Sequence, residues 1–111
     1  FDDLSPNAGG RVVVDGDGTS FTVAFEGVPE FFASTTNTFT VTLSADGSIN
    51  IAYGGIAATD GLVGVTEGNG AADPGSTDLS ESSGLSATGT TYELFDFINT
   101  NDLSDSEVDF E

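Results

Sequence analysis

Residues 37–53 read NTFTVTLSADGSINIAY, and this stretch decides the fold class. Its first half alternates apolar residues with threonines, and its second half alternates isoleucines with polar or small residues. A short Ser-Ala-Asp-Gly-Ser segment separates the two halves. A period of two residues is typical of a β-strand with one buried face, so the stretch predicts two strands joined as a hairpin.

The length of the hairpin loop follows from which residues must share a face. Residues directly opposite each other in an antiparallel pair lie on the same side of the sheet. A two-residue loop would set Leu43 opposite the polar Asn50, whereas a three-residue loop sets it opposite Ile49. The three-residue loop also requires a left-handed residue at its end, where Gly47 stands. The sequence therefore predicts a three-residue loop at residues 45–47.

The rest of the chain repeats this organisation of short alternating runs separated by turn residues. The sequence has 111 residues with 15 glycines, and no segment shows helical periodicity. We therefore predict a single all-β domain over residues 1–111, an antiparallel β-sandwich with jelly-roll or immunoglobulin-like layers. Its loops are long, acidic and rich in Gly and Ser, and it has little or no helix. Further strands are predicted at residues 11–15, 19–26, 61–67, 90–98 and in the C-terminal segment 103–111. In the strand at 90–98, Phe95 and Phe97 lie on the same side, which we expect to face the core.

The net charge excludes several classes of partner. The chain carries 19 acidic residues against one basic residue, Arg11, which gives a net charge of −18. Nucleic-acid binding requires a basic surface, so we predict no nucleic-acid partner. No apolar run approaches membrane-spanning length, and we predict no membrane insertion. Because clustered like charge destabilises a compact state, a saline medium or bound divalent cations would relieve the repulsion.

The residue types needed for most catalysis are missing. The chain has no Cys, no His and no Lys, which removes disulfides and the commonest general base. A pair of carboxylates could still perform acid–base chemistry, as in glycoside hydrolysis. The sequence does not place two carboxylates across a cleft, and we therefore expect a protein without enzymatic activity.

Calcium is the one cofactor that the composition favours. Calcium prefers oxygen ligands from acidic, flexible loops. The candidate ligands are Asp15 and Asp17 in the turn after the first predicted strand, and Asp73 and Asp78 in the long loop 68–89. The alternative for each of them is a solvated loop whose charge is screened by salt.

Two pairs of apolar residues are candidate contacts with a partner. Phe31 and Phe32 are adjacent, and neighbouring residues in an extended chain face opposite ways, so we expect one ring in the core and the other exposed or covered by a loop. Val108 and Phe110 share one face of the C-terminal segment, which could add as a strand to a neighbouring sheet. No lysine is present to protect the strand edges.

Six phrases of the sequence together resemble the nidogen-like β modules of secreted and cell-surface bacterial proteins. The hairpin phrase is the most specific, because it combines a phenylalanine-led strand, an Asp-Gly turn and a returning strand that ends in Tyr-Gly. Such modules often place a tryptophan near the start, whereas this chain has none and Phe1 stands there instead. The phrases are FDDLSPNAGG (1–10), FTVAFEGVPEF (21–31), NTFTVTLSADGSINIAYG (37–54), DGLVGVTEGNG (60–70), TDLS (77–80) and SATGTTYELFD (86–96).

The resemblance implies an extracellular module that is structural or adhesive and not catalytic. We therefore expect a protein that binds other copies of itself or neighbouring extracellular domains, as a surface or filament subunit. A calcium-dependent carbohydrate-binding module is the alternative function. The acidity is higher than the resemblance explains, and it favours a bacterial protein of the cell surface or a saline medium.

Overall fold

The computed structural model describes residues 2–111, so the expectation about Phe1 lies outside the described residues. This part of the chain contains seven β-strands and no helix, and hence no helix that could span a membrane. The strands are β1 (Arg11–Gly16), β2 (Ser20–Pro29), β3 (Thr36–Ser44), β4 (Ile49–Tyr53), β5 (Gly61–Thr66), β6 (Thr90–Phe95) and β7 (Glu107–Phe110).

The strands form two antiparallel sheets of unequal size. The five-stranded sheet has the order β1-β2-β3-β4-β7, and the two-stranded sheet consists of β5 and β6. Strands β1 to β4 are connected as neighbouring hairpins, while β7 returns from the end of the chain to pair with β4. The prediction of an all-β, antiparallel protein is confirmed.

The predicted register of the central hairpin is confirmed. Leu43 lies opposite Ile49, and Val41 lies opposite Ile51. Gly47 has a φ of 97°, the left-handed conformation that the end of the three-residue loop requires. The Asp46 carboxylate accepts a hydrogen bond of 3.0 Å from the Ser48 backbone N–H, which holds the loop closed.

Both sheets contribute to one hydrophobic core, which lies at the β4–β7 end of the five-stranded sheet. Val108 and Phe110 of β7 pack there against Phe95 of β6. Leu79 and Leu103 enter the same cluster from loops. The core is therefore concentrated where the two-stranded sheet covers the larger one.

Residues 68–89 form no strand, as the sequence predicted, but they are anchored at several points. Leu79 is 2% exposed and belongs to the core. The Thr77 backbone N–H donates to the Tyr92 carbonyl at 2.8 Å, so the segment lies along the outer side of β6. On the opposite edge of β6 lies β5, and Gly64 lets the backbones of the two strands approach closely, because a Cβ at this position would lie 2.3 Å from the Thr91 carbonyl oxygen.

Two predictions about phenylalanines are wrong. We expected Phe97 in the core beside Phe95, but β6 ends at Phe95 and the Phe97 side chain is 90% exposed. The Asp96 carboxylate accepts hydrogen bonds from the N–H groups of Ile98 and Asn99, and this turn ends the strand alternation. Neither the Phe31 ring nor the Phe32 ring lies in the core, since both side chains are exposed.

Candidate binding surface

The apolar side of the five-stranded sheet is only partly covered by the two-stranded sheet. Opposite residues share a face, so the register defines this side across the first three strands. The residues on it belong to the same side as the core residue Ile51 of β4. They are Val12 and Val14 of β1, Phe21, Val23 and Phe25 of β2, and Phe39, Val41 and Leu43 of β3.

Four of these side chains are open to solvent. Val14 is 60% exposed, Phe21 47%, Leu43 45% and Val12 41%. We call these four residues the uncovered face. Isolated exposed apolar residues are normal, but a contiguous group on one side of a sheet is typical of a binding surface.

A cleft of about 430 Å³ lies beside the uncovered face, between β5 and the five-stranded sheet. Three aromatic rings from successive strands form its floor. The rings of Phe25 and Phe39 stack with centroids 4.6 Å apart and 11° between their planes. The ring of Tyr53 lies 6.0 Å from Phe39. Burial, with the charge of Glu93 as the second cause, raises the pKa of the Tyr53 hydroxyl above its ordinary value.

Asn37 joins the wall of the cleft to the end of β2. Its side chain is 1% exposed, and its Oδ1 accepts hydrogen bonds of 2.8 Å from the N–H groups of both Ala57 and Ala58. Its Nδ2 donates to the Val28 carbonyl at 3.2 Å. One side chain therefore ties the segment between β4 and β5 to the five-stranded sheet.

Glu93 is the second buried polar residue in the described part of the chain, residues 2–111. It lies on the same side of β6 as Phe95, and its carboxyl oxygens accept hydrogen bonds from Leu79 N–H at 2.8 Å and Asn99 Nδ2 at 3.0 Å. Its burial was not among the predictions from the sequence. The signal was present, because the alternation that directs Phe95 inward directs Glu93 inward as well.

One end of the cleft is acidic. Asp2 and Asp60 line both the cleft and a neighbouring polar depression. Single carboxylate oxygens of Asp2, Asp3 and Glu30 lie within 4.8 Å of one another, which is a donor set suited to a hard cation. Burial raises the pKa of Glu30, and the charges of Asp2, Asp3 and Asp60 raise it further. We call these four carboxylates the acidic rim.

The four predicted calcium ligands are not brought together. In residues 2–111, the acidic rim supplies the single group of three carboxylates close enough to share an ion. Asp17 caps the β1–β2 turn, where bonds from Thr19 and Ser20 lower its pKa to about 2. Asp73 accepts from Gly75 N–H and the Tyr92 hydroxyl.

The remaining two candidate ligands also belong to no group of three carboxylates close enough to share an ion. Asp78 accepts from the Ser80 hydroxyl and Glu81 N–H, and Asp15 lies on β1 opposite Thr22. Calcium binding by the four predicted residues stays a prediction.

The predicted partner residues fall into two groups. Phe31 and Phe32 are 59% and 94% exposed, and their rings contact each other with centroids 4.1 Å apart. A φ of 62° at Phe32 turns the backbone so that both rings lie outside. Val108 and Phe110 are 2% and 0% exposed in the core of the chain itself. They could contact a partner only through exchange of β7 between chains.

Strand β1 forms one edge of the five-stranded sheet, and all six of its residues are exposed. Arg11, the one basic residue, forms an ion pair with Glu26 of β2. The rest of the strand carries three valines and no lysine or proline, the residues that commonly protect a sheet edge.

The comparisons with known proteins add no relative. No protein-family model, no curated protein and no solved structure matches this chain.

Proposed function

We propose that this chain is a non-catalytic structural or adhesive module of an extracellular assembly, built as a nidogen-like β-sandwich whose second layer is incomplete. The observation that carries the proposal is the uncovered face. Five strands of apolar surface are opposed by only two strands. The side chains that a complete second layer would bury remain 41–60% exposed.

Burial of the uncovered face against another protein chain would supply the free energy of binding. Removing apolar surface from water contributes about 25 cal/mol per Å². Most of the core is already formed at the β4–β7 end, so the module does not depend on a partner to fold. The partners we propose are neighbouring extracellular domains or further copies, and the absence of His, Cys and Lys supports a role without catalysis.

The location that we propose is the bacterial cell surface or a saline medium. A net charge of −18 on 111 residues produces strong self-repulsion at low ionic strength. Salt at about 0.15 M already shortens the range of surface charge interactions to about 8 Å. Seawater or a mineral-rich matrix would shorten it further, so the composition suits such a medium.

Light scattering coupled to size-exclusion chromatography tests the proposed function. At about 2 M NaCl the repulsion between copies is screened, and the uncovered face should then drive association of the wild-type chain. The double variant Val14→Thr/Phe21→Thr should remain monomeric. Val13→Thr is the matched control, because Val13 lies on the same strand and is 39% exposed on the opposite side of the sheet. Equal behaviour of the double variant and the control would rule out a role of the uncovered face in association.

Calcium-dependent carbohydrate binding is the second candidate function. The aromatic floor of the cleft favours it, because an apolar ring face can stack on the apolar face of a sugar ring. Calorimetric titration with calcium, followed by titration with oligosaccharides, tests this candidate. The absence of heat with calcium would remove it.

A further inference from the structure

We propose that the occupant of the uncovered face at ordinary ionic strength is an extended, basic segment of a different protein. In this segment apolar residues alternate with polar ones, and the segment lies beside β5 over the uncovered face. The inference rests on the proposed function and identifies the partner class. The shape of the vacant space, its area and the surrounding charge support it.

The shape of the vacant space matches a strand. Neighbouring strands are about 4.8 Å apart, so the five-stranded sheet is about 24 Å wide and the two-stranded sheet about 10 Å wide. The difference leaves room for two or three more strands in the second layer. Sheets pack about 10 Å apart, which is the height that one layer of side chains fills. An extended segment with every second side chain pointing inward fits this space.

The area argues against a second copy as the occupant. A strip about 14 Å wide and about 20 Å long, the length of six extended residues, has an area of about 300 Å². Stable complexes of globular proteins bury about 800 Å² on each partner. Two copies meeting at this strip alone would therefore associate only weakly, and at ordinary ionic strength the repulsion between their charges outweighs this gain. A flexible segment can instead follow the strip into the cleft, and it contacts the floor formed by Phe25, Phe39 and Tyr53 as well.

Charge complementarity selects a basic segment. The acidic rim places Asp2 and Asp60 on the lining of the cleft, with Asp3 and Glu30 beside them. The sole basic residue of the chain, Arg11, is already paired with Glu26. A second copy would bring a further charge of −18 to this surface, whereas a lysine or arginine at the end of an apolar segment would neutralise the rim.

A synthetic heptapeptide tests the inference directly. The probe has valine, tryptophan and valine at alternate positions, threonines between them and a lysine at each end. This protein contains no tryptophan, so the emission of the probe reports its transfer from water to the cleft. The controls are the same peptide with glutamates at its ends, and a peptide of the same composition with the alternation broken.

The expected result is saturable binding of the basic alternating peptide, at least about tenfold tighter than either control peptide at about 20 mM salt. At about 0.5 M salt the advantage over the acidic peptide should shrink, because screening removes the charge contribution. Val14→Thr and Val14→Thr/Phe21→Thr should weaken binding progressively, the double variant by about tenfold or more, and Val13→Thr should leave it unchanged. Threonine keeps the β-branched shape of valine and is well tolerated in strands, and circular dichroism verifies that each variant is folded.

Several outcomes would overturn the inference. Equal binding of the three peptides would show an unspecific apolar surface. An equal loss in Val13→Thr and Val14→Thr would place binding elsewhere. A stable dimer at about 20 mM salt that Val14→Thr/Phe21→Thr dissociates would identify a second copy as the occupant, and the proposed function would stand. If no peptide binds and the association at about 2 M NaCl is also absent, both the inference and the proposed function fail.

Discussion

Asn37 provides the sharpest test of how the fold is held together. Its buried amide makes three hydrogen bonds, two accepted from Ala57 and Ala58 N–H and one donated to the Val28 carbonyl. The Asn37→Ala substitution removes all three at once. Ala58 is 6% exposed and Val28 is 0% exposed, so their backbone groups depend on the Asn37 side chain for hydrogen bonding in the folded chain.

The expected loss can be worked out from these contacts. A net hydrogen bond contributes about 1 kcal/mol, and a buried polar group left without a partner costs about 1–3 kcal/mol. Three lost bonds give about 3 kcal/mol, and one buried group left without a partner raises the loss for Asn37→Ala to about 4–6 kcal/mol. Domains of this size have a total free energy of unfolding of about 5–15 kcal/mol. The variant should therefore be close to unfolding at room temperature or already partly unfolded.

Urea denaturation followed by far-ultraviolet circular dichroism measures the effect. All proteins are compared at one ionic strength of about 0.5 M, because self-repulsion makes the stability depend on salt. Asn37→Ala should shift the midpoint strongly, with the slope unchanged. Asn7→Ala is the matched control, since Asn7 is exposed in a turn before β1 and its loss should cost less than about 0.5 kcal/mol.

A second substitution at the same position separates the donor from the acceptor. Asn37→Asp keeps an acceptor for Ala57 and Ala58 but sets a carboxylate against the Val28 carbonyl. The variant should be destabilised at pH 7 and should recover as the pH falls, because the protonated acid can donate again. An Asn37→Ala loss below about 1 kcal/mol, or no recovery of Asn37→Asp in acid, would refute the assignment of Asn37 as the tie between the two segments.

Three further substitutions test a buried ring, a hydrogen bond and a carboxylate of the acidic rim. Phe95→Ala should cost about 3–5 kcal/mol in urea denaturation, whereas the exposed Phe97→Ala should cost less than about 0.5 kcal/mol; equal losses would contradict the end of β6 at Phe95. The Asp73 hydrogen bond raises the pKa of the Tyr92 hydroxyl, so Asp73→Asn should lower that pKa towards about 10 in an absorbance titration, and an unchanged curve would exclude the bond. Burial and neighbouring carboxylates raise the pKa of Glu30, so its ionised form is disfavoured in the folded state. Glu30→Gln should therefore raise the melting temperature at pH 7, with the gain vanishing as the pH falls through the pKa of Glu30; a gain that persists in acid would contradict this cause.

Local signals in the sequence determined the two strands of the central hairpin and their register. The alternation in residues 37–53 and the position of Gly47 required one register, because a shift by one residue would move Leu43 and Ile49 to opposite faces. The same period of two predicted that Val108 and Phe110 share a face. These features depend on neighbouring residues along the chain, and a single sequence contains that information.

The extent of the second layer and the residues that form the site could not be predicted without the tertiary structure. The sequence made no distinction between Phe21, which lies on the uncovered face, and Phe95, which lies in the core, because both occur in well-patterned strands. The difference between the exposed Phe21 and the buried Phe95 depends on long loops whose packing no local pattern specifies. The acidic rim likewise joins Asp2 to Glu30 and Asp60 across distant parts of the chain.

The hairpin was therefore determined by the sequence alone, since period and turn chemistry act between near neighbours. Whether its apolar side is buried or exposed was decided by the tertiary structure, since burial depends on what the rest of the chain places above it. Phe39 and Val41 are partly covered, while Leu43, on the same strand and the same side, is 45% exposed. The physical reason is that two strands are too narrow to cover five.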